Sequence, residues 1–285
     1  MVLTKDKNIM IVGLGLIGGT YAKILSDNGF NVYAIDIDNE ALDYAKENKY
    51  IKDGWTNATK ENFQNIDLII VCLYPERFIN FVKENLEIFP ENAVMTDVTG
   101  IKSYVVSKIQ NLLGDKMEFI AAHPMAGGER SKVYNVDVDV FKNANYIVVP
   151  TEKNTEENIV MCENLGRLLG FSKISRLDVA KHDEMIAYLS QLTHVIACTL
   201  MTAVVDEKLS FYTGDSFRDL TRIARMNDEM WSELFLKNRD ALLREMDKFE
   251  IEFNKMKDYL IKENTEGIRE MMRLSTKRRD LFEKK

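Results

Sequence analysis

Cysteine, proline, histidine and tryptophan are all scarce in this chain. Its 285 residues include three cysteines, four prolines, three histidines and two tryptophans. The cysteines (Cys72, Cys162 and Cys198) lie far apart, are odd in number and show no metal-ligand spacing. Neither a disulfide framework nor a bound metal is expected, and a reducing, cytoplasmic setting is the simple reading. No run approaches ~18 apolar residues, so no membrane span is expected. Positive charge is also in deficit. The net charge is −7 and the pI about 5.3, which argues against nucleic acid or an anionic membrane as partner. A small anion can still be held by a local arginine. The start, "MVLTKDKNIMIVGLG", breaks its apolar stretch with glycine and reads as a first strand rather than a signal peptide.

What is abundant is apolar residues, at 46%. That suffices for a sizeable core in one large domain or two ordinary ones. Asn8 to Val12, Asn31 to Asp36, Ile66 to Leu73, "AVMTDV", "FIAAHP" and "NYIVVP" read as strands, with helix-like stretches between them. "IDLIIVCL" is a continuous apolar run of the kind buried on both faces of a parallel sheet. The alternation predicts an α/β domain with a doubly wound parallel sheet over residues 1–178. From Val179 onward the strand signal fades, and residues 179–285 read as all-α. Asp228 to Glu283 forms one helical tract without proline. Its apolar stripe, Leu242, Leu243, Met246, Phe249, Phe253, Met256 and Leu260, must be covered by another helix or a second subunit.

"IMIVGLGLIGG" carries Gly13, Gly15 and Gly18 in the spacing G-x-G-x-x-G, with Leu14, Leu16 and Ile17 between them. The pattern is weak alone. Here it follows a strand, opens a helix and is answered by Asp36 at the end of the second strand, about 20 residues on. Glycines let the backbone approach a pyrophosphate, and free N–H groups at the helix start hold its charge. Asp36 can accept hydrogen bonds from ribose hydroxyls and would repel a 2′-phosphate, so the expected cofactor is NAD. Leu73, Tyr74 and Pro75 follow the third strand and are expected at the cofactor crevice.

NAD implies hydride transfer, and oxidising an alcohol carbon needs a group to take the hydroxyl proton. Histidine suits that role near neutral pH. "FIAAHPMAGGE" places His123 at a strand end, with Pro124, Gly127 and Gly128 keeping the segment irregular and Glu129 nearby to orient it or to bind substrate or water. His182, in "DVAKHDE", reads as a capping or surface residue. His194, on an apolar helix, reads by default as a core histidine, and Trp231 as core. Arg218, Arg222 and Arg225 crowd into "SFRDLTRIARMNDEMW", where an anionic substrate would want one arginine for a bidentate carboxylate contact. Spacing does not choose among the three.

The chain resembles the prephenate dehydrogenase family, with its arogenate-using members, over nearly its whole length. The resemblance rests on "GLGLIGG" with Asp36, "HPMAGGE", "LSQLTHVIA", and "FRDLTRIA" followed by "MW". It implies a Rossmann-like N-terminal domain, a helical C-terminal dimerisation domain that makes a homodimer, and a site between them for oxidative decarboxylation of prephenate to 4-hydroxyphenylpyruvate in tyrosine biosynthesis. By the same resemblance His123 is the catalytic histidine and Arg222 binds a substrate carboxylate. His194, Glu129 and Trp231 line the substrate pocket. The chain departs from the family pattern where Gly100 stands in place of a common serine, leaving Thr99 as candidate substitute, and where "SQLTH" replaces "SHLPH". Two rivals stand beside this reading. One is a 3-hydroxyacid or 6-phosphogluconate type dehydrogenase, for which Lys102 would be the catalytic lysine. The other is a non-catalytic NAD-binding protein, against which the pairing of His123 with Arg222 argues.

Overall fold

The computed structural model describes residues 2–127, 132–206 and 208–282. Eight strands form one sheet in the order β3-β2-β1-β4-β5-β6-β7-β8. They are β1 (Asn8–Val12), β2 (Asn31–Ile35), β3 (Asp53–Trp55), β4 (Leu68–Val71), β5 (Val94–Asp97), β6 (Glu118–Pro124), β7 (Asn145–Val149) and β8 (Lys173–Arg176). Crossovers are made by α1 (Leu16–Asp27), α2 (Asn39–Glu47), α3 (Lys60–Phe63), α4 (Pro75–Asn85), α5 (Val106–Leu113) and α6 (Glu156–Leu168).

The period of two along each strand explains the burial. Ile9, Ile11, Leu68 and Ile70 point into one apolar cluster with Tyr21, Leu25 and Cys162. Met10, Val12, Ile69 and Val71 point into a second cluster with Phe78, Ile109 and Phe119 on the opposite face. Helices cover both faces, so the strand sequences need no polar alternation. β1 pairs with both β2 and β4, which makes the β1–β4 boundary the switch point where a ligand crevice opens.

The expected parallel order holds from β3 through β6 and then reverses. β7 runs antiparallel to β6, with His123 opposite Ile147. Among the described residues, only short 3-10 turns (Val133–Asn135 and Val138–Phe141) link the two strands. Parallel pairing needs a longer crossover, usually a helix. α6 supplies one between β7 and β8, and that pair is again parallel.

Beyond Arg176 the described chain is helical: α7 (Val179–Ile186), α8 (Leu192–Thr202), α9 (Asp215–Thr221), α10 (Asp228–Lys237), α11 (Arg239–Ile261) and α12 (Thr265–Arg279). A π-helical turn, Ala187–Gln191, joins α7 to α8. The predicted single tract after Asp228 is broken at two asparagines. Asn238 separates α10 from α11, and Asn264 caps α12 by accepting the Gly267 N–H. Asparagine favours such caps because its short side chain satisfies free helix N–H groups.

Two apolar helical faces of this half are covered only in part. The continuous helical run Val179–Thr202 is long and apolar enough to cross a membrane by length and composition, with 28% of its apolar window buried. Those two criteria also admit a helix that packs in a protein assembly. Among the described residues the α11 stripe is covered only at its start: Leu242 is buried, whereas Leu243, Phe249, Phe253 and Leu260 are 41–61% exposed, which leaves a second subunit as the expected cover.

Candidate active site

The glycine turn is forced by sterics. Gly13 has φ +97° and its missing Cβ would stand 2.9 Å from the Cys72 carbonyl oxygen, while a Cβ on Gly18 would lie 1.9 Å from the Gly13 oxygen. Larger residues would push β1, α1 and the end of β4 apart. Leu14 is buried, whereas Gly15, Leu16 and Ile17 are partly open. Among the described residues no side chain caps α1, and its first turn holds no acidic residue. The Asp36 carboxylate braces the turn by accepting N–H groups from Leu14 (2.5 Å) and Asp38 (2.8 Å). Leu73 lies against Gly13. Tyr74 is the residue before α4, and Pro75 opens that helix. Gly13, Leu14, Asp36 and Leu73 therefore lie together at the switch point, with Tyr74 and Pro75 next in the chain.

His123 sits one residue from the end of β6, and its neighbours are clamped. Asp97 accepts the Ala122 N–H at 3.0 Å, and Lys102 Nζ donates to the Ala122 oxygen at 2.6 Å. Lys102 and Asp97 form a fully buried ion pair at 2.7 Å. Burial pulls the Lys102 pKa down, and the Asp97 charge opposes that pull. The Thr99 hydroxyl is bonded to the Asp97 carboxylate and to Lys102 Nζ. Thr99 is thus turned into the network beneath the site and is not brought to the His123 ring. Gly100 is brought there: a Cβ added to it would lie 3.8 Å from His123 Cε1 and 3.5 Å from Leu234.

His182 is the residue whose sequence reading fails. It is fully buried, neither on the surface nor a cap, and its Nε2 lies 3.0 Å from His123 Nδ1. The cap of α7 is Asp178, which accepts the Lys181 N–H. His182 Nδ1 is 2.7 Å from Asp183 Oδ1, and the Asp183 carboxylate also accepts the backbone N–H groups of Lys102 (2.8 Å) and Ser103 (2.7 Å). The adjacent pair "HD" in "KHDE" was the available signal, since a carboxylate beside an imidazole can orient it. Burial pushes the His123 pKa well below the ordinary histidine value, and His182 and the Lys102 charge push the same way. Burial also lowers His182, against the pull of Asp183. Burial acts to raise Asp183, but hydrogen bonds from His182 and Ser103 bring it below the usual carboxylate value.

The helical layer supplies the facing wall. His194 stacks on Trp231, with ring centroids 3.7 Å apart, and its Nδ1 is 2.8 Å from the Ser190 oxygen. Neither residue is sealed in core; both are half-buried. Arg222 opens the 3-10 turn Arg222–Ala224 after α9 and is exposed. Burial lowers the His194 pKa, and the Arg222 charge acts in the same direction. Leu234, one turn beyond Trp231 on α10, faces Gly100 and hence the His123 ring. Gln191 donates to the Leu234 oxygen (3.0 Å), and Asn238 bridges Gln191 and the Asp183 oxygen. Glu233 accepts the Glu76 N–H at the start of α4, and Arg77 pairs with Glu229 at 2.7 Å. The structure thus brings Gly100 and Leu234 to His123, and stacks His194 on Trp231 one turn earlier on the Leu234 helix. Gly128 and Glu129 lie outside the described residues.

The family model described as "Prephenate dehydrogenase, nucleotide-binding domain" matches residues 21–171, and "Prephenate dehydrogenase, dimerization domain" matches 178–274. The chain belongs to the prephenate dehydrogenase family. The first match begins after the glycine turn, which therefore stands on its own geometry. Prephenate dehydrogenase of Lactococcus lactis is 28% identical over 284 residues, covering 97% of this chain and 78% of that one. The Bacillus subtilis prephenate dehydrogenase is 27% identical over 270 residues, covering 91% and 72%. Among solved structures, prephenate dehydrogenase from Aquifex aeolicus in complex with hydroxyphenyl propionate and NAD+ superposes with a TM-score of 0.89 at 26% identity, covering 98% of this chain and 99% of that one.

Proposed function

We propose that this protein catalyses the NAD-dependent oxidative decarboxylation of prephenate to 4-hydroxyphenylpyruvate, a step of tyrosine biosynthesis. The observation that carries the reading is His123, held at the rim of the sheet with Gly100 and, from the helical layer, Leu234 beside its ring; Leu234 lies on the helix that also carries Trp231 stacked on His194. The residues fit NAD: Gly13 and Gly18 leave no room for a side chain, and the start of α1, uncapped by any described side chain, offers N–H groups to a pyrophosphate. Each Asp36 oxygen accepts one backbone N–H and keeps a lone pair for a ribose hydroxyl. The same carboxylate repels a 2′-phosphate, so NADP is the poorer cofactor.

NAD, when bound, supplies the hydride acceptor. His123 takes the proton of the ring hydroxyl as the hydride leaves that carbon. Loss of the ring carboxylate as carbon dioxide makes the ring aromatic, and His123 returns the proton to the phenolic oxygen. One hydride and one carbon dioxide leave, and no net proton is released. Arg222 binds a substrate carboxylate, and His194 with Trp231 walls the side chain. Glu129 and Gly128 are proposed as substrate-binding residues on the family resemblance alone. Lys102 has its three donors directed at Asp97, Thr99 and Ala122, which removes the basis for the rival lysine-based dehydrogenase. The working form is a cytoplasmic homodimer through the helical layer. The matched dimerization-domain model and the exposed apolar side chains of α11 support that form.

The test is NADH formation by the purified protein with prephenate and with arogenate, side by side. Prephenate should be the better substrate. A higher kcat/KM for arogenate would change the substrate, and turnover of neither would sink the proposal.

A further inference from the structure

His182 and Asp183 carry a further role that no motif above assigned. A short chain of bonds runs from the Asp183 carboxylate through both imidazoles. Asp183 Oδ1 is 2.7 Å from His182 Nδ1, and His182 Nε2 is 3.0 Å from His123 Nδ1. A carboxylate can only accept, so His182 carries its proton on Nδ1. A neutral His182 then has a bare Nε2, which can only accept in turn. The hydrogen bond to His123 therefore requires the proton on His123 Nδ1. The other His123 nitrogen, Nε2, is left bare toward the substrate.

We propose that His182 and Asp183 are positioning residues that lock His123 into the tautomer with an unprotonated Nε2, the form able to take a hydroxyl proton. The inference rests on His123 handling that proton and adds what sets its direction. Two geometric features support it. Asp183 is itself held in place, since its carboxylate accepts the Lys102 and Ser103 N–H groups from the loop after β5. The His182 ring is fully buried, so water does not compete for it. The charged groups around the pair are Lys102 and Asp97 from the β5 side and Asp183 from α7. Burial and the Lys102 charge disfavour the charged form of both rings, with Asp183 pulling His182 the other way, which is the direction the tautomer argument needs. When His123 becomes doubly protonated, its Nδ1–H still points at His182 Nε2, so the new charge is spread toward Asp183 without any group moving. A carboxylate that orients a catalytic imidazole directly acts in the same way.

The chain holds three histidines, which makes nitrogen NMR of the 15N-histidine-labelled full-length protein readable. In the wild type near neutral pH, His123 and His182 should both show a protonated Nδ1 and a bare Nε2. A proton on His123 Nε2 would overturn the proposal whatever the kinetics. Two variants add function. His182→Phe removes the acceptor, and kcat should fall by roughly 10–100-fold, with the KM for NAD unchanged and the His123 tautomer shifted toward Nε2–H. His182→Gln restores an acceptor oxygen and should recover part of that loss. Equal losses in both variants, or an unchanged tautomer in His182→Phe, would contradict the role. If the wild type shows the predicted tautomer but no turnover of prephenate, the reaction assignment fails and the tautomer lock stands.

Discussion

The sheet layer and the helical layer bury their apolar side chains in opposite ways. β1, β2 and β4 to β7 all contribute side chains that are nearly inaccessible, and two clusters fill both faces of the sheet. After Val179 only Ile186, Ala187, Leu192, Ala197, Ala241 and Leu242 are buried apolar residues among those described. The same stretch leaves Val205, Phe211, Tyr212, Ile251, Phe253, Leu260 and Ile261 between 61% and 99% exposed. Burial of a leucine or phenylalanine is worth about 1.5–3 kcal/mol. The sheet layer gains that within one chain, whereas the helical layer needs a covering surface. The candidate site lies where the layers meet: His123 stands on the sheet, whereas His182, Asp183, His194, Arg222 and Trp231 come from the helical layer.

That contrast can be broken from either side. The largest effect is expected at the rigid half: His123→Asn should lower kcat by about 10²–10⁴ while NAD affinity, measured by calorimetry, is unchanged. Lys102→Met should cost roughly 3–5 kcal/mol of stability, read as a fall in Tm, because it leaves the Asp97 carboxylate buried without its cation. On the helical side, Arg222→Gln should raise the KM for prephenate by about 10–100-fold, the loss of a charged hydrogen bond worth about 1.5–3 kcal/mol, with a much smaller change in kcat. Leu260→Lys should shift the protein toward monomer in sedimentation while the circular dichroism of the sheet layer persists; unchanged mass would show that this face is covered otherwise. The smallest effect belongs to the exposed pair between the layers: Arg77→Ala should change stability by no more than about 1 kcal/mol.

The sequence was most legible where local rules and the fold agree. Apolar runs such as "LIIV" read as strands because both faces are covered, and the glycine spacing read as a turn because only glycine fits at Gly13 and Gly18. His123 stood out because proline and glycines surround it. Other features depend on tertiary packing and leave little local trace. An apolar run looks alike in either direction, so the reversal at β7 was invisible. The charged neighbours of His182 disguise a ring buried against the loop after β5. Thr99 has the hydroxyl expected of a substrate contact, but the Asp97–Lys102 pair below the site holds it. The α11 periodicity shows which residues share a face, not what covers that face.

The central claim is that the two layers together oxidise a ring carbinol and release its carboxylate. Its most direct test is turnover of prephenate with NAD by the purified protein, counting NADH and carbon dioxide in the same reaction. The account predicts equal amounts of the two, with 4-hydroxyphenylpyruvate as the remaining product. NADH without carbon dioxide, or no NADH from prephenate while a simple 3-hydroxy acid is oxidised, would contradict it.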